Sequence, residues 1–161
     1  METDNLLKTP LYDLHIKSNA KMIDFGGWIM PVQYEGIIKE HLETRSSVTV
    51  FDICHMGEFI CEGPGAEAAV SNILTAELLK IGRCRYGFIL NQNAGIIDDC
   101  ITYRIDKDEY MIVVNASRIS VDSKWIDEHI PGNVIFKNIS DKTGKLDVQG
   151  PKSTEIMVKL L

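Results

Sequence analysis

Between Glu58 and Asn138 the chain switches between two hydrophobic periods, and that switching constrains its fold more than any other feature. Phe59 to Cys61 is an apolar run of strand length, closed by the turn formers Gly63-Pro64-Gly65. Ala66, Ala69, Val70, Ile73 and Leu74 then fall at i, i+3, i+4, i+7 and i+8, the spacing of one helix face. Three strand-like runs follow, Arg85 to Leu90, Ile96 to Ile105 and Tyr110 to Asn115. They are separated by Asn91-Gln92-Asn93-Ala94-Gly95 and Asp106-Lys107-Asp108-Glu109, both short enough for hairpins. A second helix from about Ser117 to His129 is expected to bury Val121, Trp125 and Ile126, and Pro131-Gly132 ends it before a strand at Val134 to Lys137. The order strand, helix, strands, helix, strand predicts an α+β fold. The order resembles a ferredoxin-like split βαβ domain, in which an antiparallel sheet carries helices on one face.

The flanks are less periodic. Thr9-Pro10-Leu11-Tyr12, with Leu14 and Ile16, is ambiguous between helix and strand, and Gly26-Gly27 and Pro31 punctuate a loop carrying Trp28, Met30 and Tyr34. A helix is expected from Gly36 to Ser46, with Ile38 and Leu42 on one face and Glu40, Glu43 and Arg45 on the other; Val48 to Cys54 reads as a strand. After Gly150-Pro151 the residues Ile156, Met157, Leu160 and Leu161 recur at helical spacing with no terminal cap. Such a helix is expected either to dock on a partner surface or to continue into a longer polypeptide.

Bulk composition narrows the partners. With 17 Lys and Arg against 23 Asp and Glu the formal charge is -6, and no block of like charge occurs, which argues against nucleic acid and anionic membrane. No run approaches the roughly 18 to 20 apolar residues of a membrane span. The acidic start Met1-Glu2-Thr3-Asp4-Asn5 has neither secretory nor transit character, so a cytoplasmic address is expected. Cys54, Cys61, Cys84 and Cys100 lack any C-x-x-C spacing and read as small core hydrophobes, with no metal site expected.

Three places can carry chemistry. Asp98 and Asp99 lie where a turn passes into a strand, among Ile96, Ile97, Cys100 and Ile101, so alternation sends the two carboxylates to opposite faces and they cannot both line one pocket. A carboxylate in apolar surroundings is costly to bury unless paired, which makes the pair a candidate proton acceptor or ligand anchor, with hairpin capping as the plain alternative. In Asp52-Ile53-Cys54-His55-Met56-Gly57, polar groups follow an apolar strand. There His55 is a candidate acid or base, or a hydrogen-bonded structural group, and Met56 can pack on a planar ligand or fill core. Cys54 and His55 are adjacent and point apart, which argues against a thiolate nucleophile. Tyr86 and Tyr103, on neighbouring strands, can wall a flat heterocycle or simply pack across the sheet. No phosphate-cradling glycine loop, H-E-x-x-H or G-x-S-x-G is present.

Taken together and in order, these segments resemble the glycine cleavage system T-protein family, the aminomethyltransferases. The resemblance is carried by Thr9-Pro10-Leu11-Tyr12 with His15, Ala20-Lys21-Met22, Phe25-Gly26-Gly27-Trp28, Met30-Pro31-Val32-Gln33-Tyr34 and Glu40-His41-Leu42 with Arg45 and Val48. It continues through Phe51-Asp52-Ile53-Cys54-His55-Met56-Gly57-Glu58, Gly82-Arg83 with Tyr86, Leu90-Asn91, Gly95-Ile96-Ile97-Asp98-Asp99, Tyr103, Val113-Val114-Asn115-Ala116 and Gln149-Gly150-Pro151. The resemblance implies an enzyme that moves a methylene from the aminomethyl-lipoyl arm of H-protein to tetrahydrofolate, releasing ammonia and dihydrolipoyl H-protein. It implies that Asp99 is catalytic and touches the folate, that Met56, Tyr86 and Tyr103 line the folate pocket with Asn115 beside it, and that Asp98 is structural. The domain division it implies is 1–54 as the first part of a discontinuous domain, 55–138 as the ferredoxin-like folate-binding domain, and 139–161 as the return to the first domain. Cys54 where serine is usual, Gly26 for alanine and Thr75-Ala76-Glu77 for T-N-D depart from the family pattern. Family chains run to more than twice this length and carry further folate-binding tyrosine, glutamate and arginine residues, so the chain is expected to be an N-terminal part, inactive alone. Another folate-dependent one-carbon enzyme of the same fold and a non-catalytic folate-binding module are the alternatives.

Overall fold

A computed structural model describes residues 5–75 and 80–161. The chain forms two compact units, one from the N-terminal stretch ending at His55 together with Gly144–Leu161, the other from Met56–Thr143.

The second unit is built on a five-stranded antiparallel sheet. Its strands are β5 (Gly57–Glu62), β6 (Arg83–Leu90), β7 (Ile96–Asp106), β8 (Glu109–Val114) and β9 (Ile135–Asn138), in the order β6-β7-β8-β5-β9. The first strand thus sits between β8 and β9, and the meander β6-β7-β8 supplies one strand more than the four of a minimal split βαβ unit. Helices α3 (Ala66–Ile73) and α4 (Ile119–His129) contribute to a core cluster on one face of the sheet. All five positions of the helical pattern, Ala66, Ala69, Val70, Ile73 and Leu74, are buried there against Phe59, Ile89, Ile112 and Val114. In α4 the buried residues are Ile126 and Asp122, whereas Val121 is exposed and Trp125 half-buried with its ring stacked on His129. The expected face is therefore rotated, and a carboxylate occupies it. Gly57 lets α4 approach the sheet: an added Cβ would lie 2.6 Å from Ile119 Cγ1 and 2.7 Å from Val114 Cγ2. Of the departure at Thr75-Ala76-Glu77, residues 76 and 77 lie outside the described residues.

The first unit holds a three-stranded sheet of β1 (Leu7–Lys8), β3 (Trp28–Gln33) and β2 (Lys21–Phe25), with α1 (Tyr12–Lys17) settling the ambiguity near Thr9 as a helix. The expected loop at 26–34 is instead a hairpin strand. Gly26 and Gly27 have φ of 62° and 92°, the left-handed pair a tight two-residue hairpin requires, and Phe25 pairs with Trp28 across it. Pro31 is tolerated in β3 because β1 reaches only Trp28 and Ile29, leaving the position on an open edge beside a register shift. Helix α2 (Ile37–Ser46) forms as expected, yet Ile38 and Leu42 are exposed and none of its residues is buried. β4 (Thr49–Asp52) pairs with β10 (Leu146–Gln149), a strand the periodicity does not announce, and α5 (Ser153–Leu160) leaves Leu160 exposed.

Candidate functional site

Along β7 the alternation of the pleat sorts the side chains. Asp98, Cys100 and Thr102 are buried on the helix-covered side, and Asp99, Ile101 and Tyr103 belong to the other. Cross-strand register puts Phe88 opposite Asp99 and Tyr86 opposite Ile101, so both aromatic rings share the Asp99 face. Tyr86 and Phe88 pack edge to face with centroids 5.4 Å apart, and Tyr86 remains 59% exposed, an aromatic wall open on one side. Partial desolvation, then the charge and hydrogen bonding of Asp99, raise the Tyr86 phenol above its ordinary value, so it is a neutral donor beside that carboxylate.

Asn115 follows the last residue of β8, and its side-chain amide joins what the pleat separates. Nδ2 donates to Asp98 Oδ1 at 3.0 Å and to Asp99 Oδ1 at 3.0 Å, while the Asn115 backbone N–H donates to Asp98 Oδ2 at 3.2 Å. The two carboxylates lie on opposite faces, yet both meet one amide at the strand end. The reading that kept them apart holds for the faces and fails for the contacts, because alternation constrains a strand's own side chains and not a neighbour reaching round its end. Met56 precedes Gly57, which pairs with Val114, so it stands at the same end of the sheet, half-buried. Asp99, Asn115, Met56 and Tyr86 thus converge. Tyr103 shares the face but lies four residues further along β7, about 13 Å at strand rise.

Two groups beside this cluster escape the sequence reading. Asp122 is fully buried, and among the described residues no N–H or hydroxyl donor reaches either carboxyl oxygen. Burial first, then hydrogen bonding and charge from Asp98, raise it to about 7, with Arg118 opposing. Arg118 donates to the Ile97 carbonyl at 3.0 Å. The available signal was a carboxylate three residues after Ile119 and four before Ile126, on the apolar stripe of a helix.

Asp52 and His55 belong to the other unit. Asp52 Oδ2 lies 2.8 Å from His15 Nε2 and accepts from Thr9 Oγ1 at 2.6 Å, and Oδ1 accepts the Cys54 N–H at 2.9 Å. His15 Nδ1 lies 2.7 Å from the Tyr34 hydroxyl. Burial works against the Asp52 charge, but its hydrogen bonds from Thr9, His15 and Cys54 outweigh it and hold the carboxyl below the ordinary value. This is a satisfied network that ties three stretches of the chain together, 9–15, Tyr34 and 52–54. His55 packs edge-on to Phe25, its buried Nδ1 has no hydrogen bond among the described residues, and burial lowers its pKa, so it is neutral at pH 7. A cavity of about 600 Å³ in the same unit is lined by Tyr34, Glu40, His41, Arg45, Phe51 and Asp52 among others, and by no member of the Asp99 cluster. Cys54, Cys61 and Cys100 are buried and Cys84 is exposed; burial pushes the Cys61 and Cys100 thiols up to about 12. Among the described residues no helix is long and apolar enough to cross a membrane.

Residues 11–161 match the model of the GCVT N-terminal domain. The chain belongs to this family. It is 46% identical over 160 residues to the aminomethyltransferase of Caldanaerobacter subterraneus and 40% identical over 157 residues to that of Listeria monocytogenes. These alignments cover 98% and 96% of this chain but 43% of each relative. The crystal structure of glycine cleavage system aminomethyltransferase T from Bartonella henselae superposes with a TM-score of 0.90 at 37% identity, covering 96% of this chain and 43% of that one. The chain spans less than half the length of the curated relatives it matches, and the α+β, antiparallel architecture is that of the matched GCVT N-terminal part.

Proposed function

We propose that this chain supplies the folate-binding, Asp99-bearing part of an aminomethyltransferase of the glycine cleavage system. The reaction is transfer of a methylene from aminomethyl-lipoyl H-protein to tetrahydrofolate in the cytoplasm, with release of ammonia and dihydrolipoyl H-protein. The observation that carries the reading is Asp99, set on an open sheet face between the Tyr86 ring and the Asn115 amide. A flat reduced pterin needs an apolar wall and a few convergent polar groups, and Tyr86, Met56, Asp99 and Asn115 offer that combination at one strand end. Tyr103 extends the aromatic lining along the same face. Tetrahydrofolate supplies the nitrogens that take up the methylene. Asp99 positions such a nitrogen and holds its proton at a carboxylate oxygen, help worth about a hundredfold to ten thousandfold in rate. Asp98 is structural, facing the core. In this reading residues 55–138 are the ferredoxin-like folate domain, and 1–54 with 139–161 contribute to a discontinuous first domain.

The test uses the longer protein that contains this chain. Ammonia release from aminomethylated H-protein is expected only with tetrahydrofolate, and Asp99→Ala is expected to lower it at least about a hundredfold with circular dichroism unchanged. Unchanged turnover in Asp99→Ala rejects the assignment. Calorimetric titration of the 161-residue chain with tetrahydrofolate is expected to show weak binding or none, and no transfer.

A further inference from the structure

Asp98 receives two N–H donors, from the backbone and side chain of Asn115, so it is the acceptor of the buried acid pair. Asp122 on α4 is wholly buried and, among the described residues, receives no such donor; the group that acts on it most strongly after burial is the Asp98 carboxyl, with Arg118 opposing more weakly. Two carboxyl groups can hydrogen-bond only if one carries a proton, and the donor count leaves that proton on Asp122. The Asn115 amide spends one hydrogen on Asp98 and the other on Asp99, so the chain of contacts runs Asp122, Asp98, Asn115, Asp99.

We propose that Asp122 is a positioning residue that holds one proton between its carboxyl and that of Asp98 and thereby, through Asn115, keeps the Asp99 carboxylate in place. This rests on the reading of Asp99 given above. While the proton is present, Asp98 bears the single charge of the pair and anchors the amide. Once it is lost, Asp98, Asp99 and Asp122 crowd one another with Arg118 as the facing cation, and the buried Cys100 thiol, up near 12, stays neutral. Repulsion between the two buried carboxylates then pulls Asp98 from Asn115 and loosens Asp99. The proton is held up to about pH 7.

The test is nuclear magnetic resonance of the 161-residue chain with labelled asparagine amides and aspartate carboxyls, titrated from pH 5 to pH 9. In the wild type the Asn115 side-chain resonances are expected to shift in one step centred near pH 7, together with the Asp122 carboxyl. In Asp122→Asn, where an amide N–H replaces the acid proton, the step is expected to vanish with Asn115 held at its low-pH position. A wild-type Asn115 signal that does not move across this range overturns the proposal without any variant, and so does a step that survives in a well-dispersed Asp122→Asn spectrum. A step at Asn115 combined with unchanged turnover of Asp99→Ala in the longer enzyme overturns the catalytic reading and leaves the shared proton standing.

Discussion

At Gly150 a single added methyl group has nowhere to go. The residue has φ of 122°, and a Cβ there would lie far inside van der Waals contact distance of the Ser47 carbonyl oxygen and 2.8 Å from that of Thr44. Both obstacles are backbone at the end of α2, so neither can rotate away. Gly150→Ala is expected to cost about 2–4 kcal/mol, combining left-handed strain with overpacking, read as a lower urea midpoint. An unchanged midpoint would show that the α2 end yields freely. The Gly-Pro pair is plain in the sequence, but as a turn signal only; the carbonyl groups that make glycine necessary lie more than 100 residues earlier.

Among elements, α2 and α4 separate helix formation from helix burial. Both are recognisable from spacing and punctuation, and both form. In α2 the expected apolar face is exposed, and what organises its start is Glu40, whose Oε1 accepts the N–H groups of Tyr34, Glu35 and Gly36 at 2.7, 2.7 and 2.9 Å. In α4 the apolar stripe is anchored by Ile126, fully buried. Leu42→Ala is therefore expected to change the stability of this chain by less than about 0.5 kcal/mol, and Ile126→Ala to lower it by about 2–5 kcal/mol. Equal urea-midpoint shifts for the two would contradict this picture. Spacing reports that a helix has an apolar side, whereas burial depends on which surface meets it. That is why α3, with five apolar positions on one stripe, was legible to the residue, while the α4 face was rotated onto Asp122. The hairpin at Gly26-Gly27 was missed because two glycines and a proline read as loop until pairing with β2 is known.

Across the whole chain the carboxyl groups set opposite pH limits in the two units. Asp52 and Glu40 are held below the ordinary carboxylate range, in each case because hydrogen bonds outweigh the desolvation that opposes them. Their stabilisation is complete above their ordinary values of 3.8 and 4.5 and is lost as pH falls through their folded values. Asp122, raised from 3.8 to about 7, behaves in the reverse sense: its contribution is complete below 3.8 and is lost as pH rises to about 7, on the order of 4 kcal/mol. The chain has 2 tryptophans, Trp28 in the first unit and Trp125 in the second, so fluorescence of Trp28→Phe and Trp125→Phe variants reads each unit by itself. Urea midpoints followed at Trp28 are expected to fall below pH 4. Those followed at Trp125 are expected to fall between pH 4 and pH 7, and Asp122→Asn is expected to flatten that second limb. A neutral limb that persists in Asp122→Asn would assign it to another group.

Local order was readable from residues alone: the five strands and two helices of the second unit, the turns between them, and the motif that places Asp98 and Asp99 at a strand start. Periodicity, turn formers and caps act within a few residues, so they are written in the chain itself. The tertiary structure alone decided that Asn115 bridges two acids on opposite faces, that Asp122 is buried against Asp98, and that Asp52 ties His15 and Thr9 into one network. Each depends on groups 16 or more residues apart, or on desolvation, and desolvation belongs to no residue until the surfaces that exclude water have closed around it.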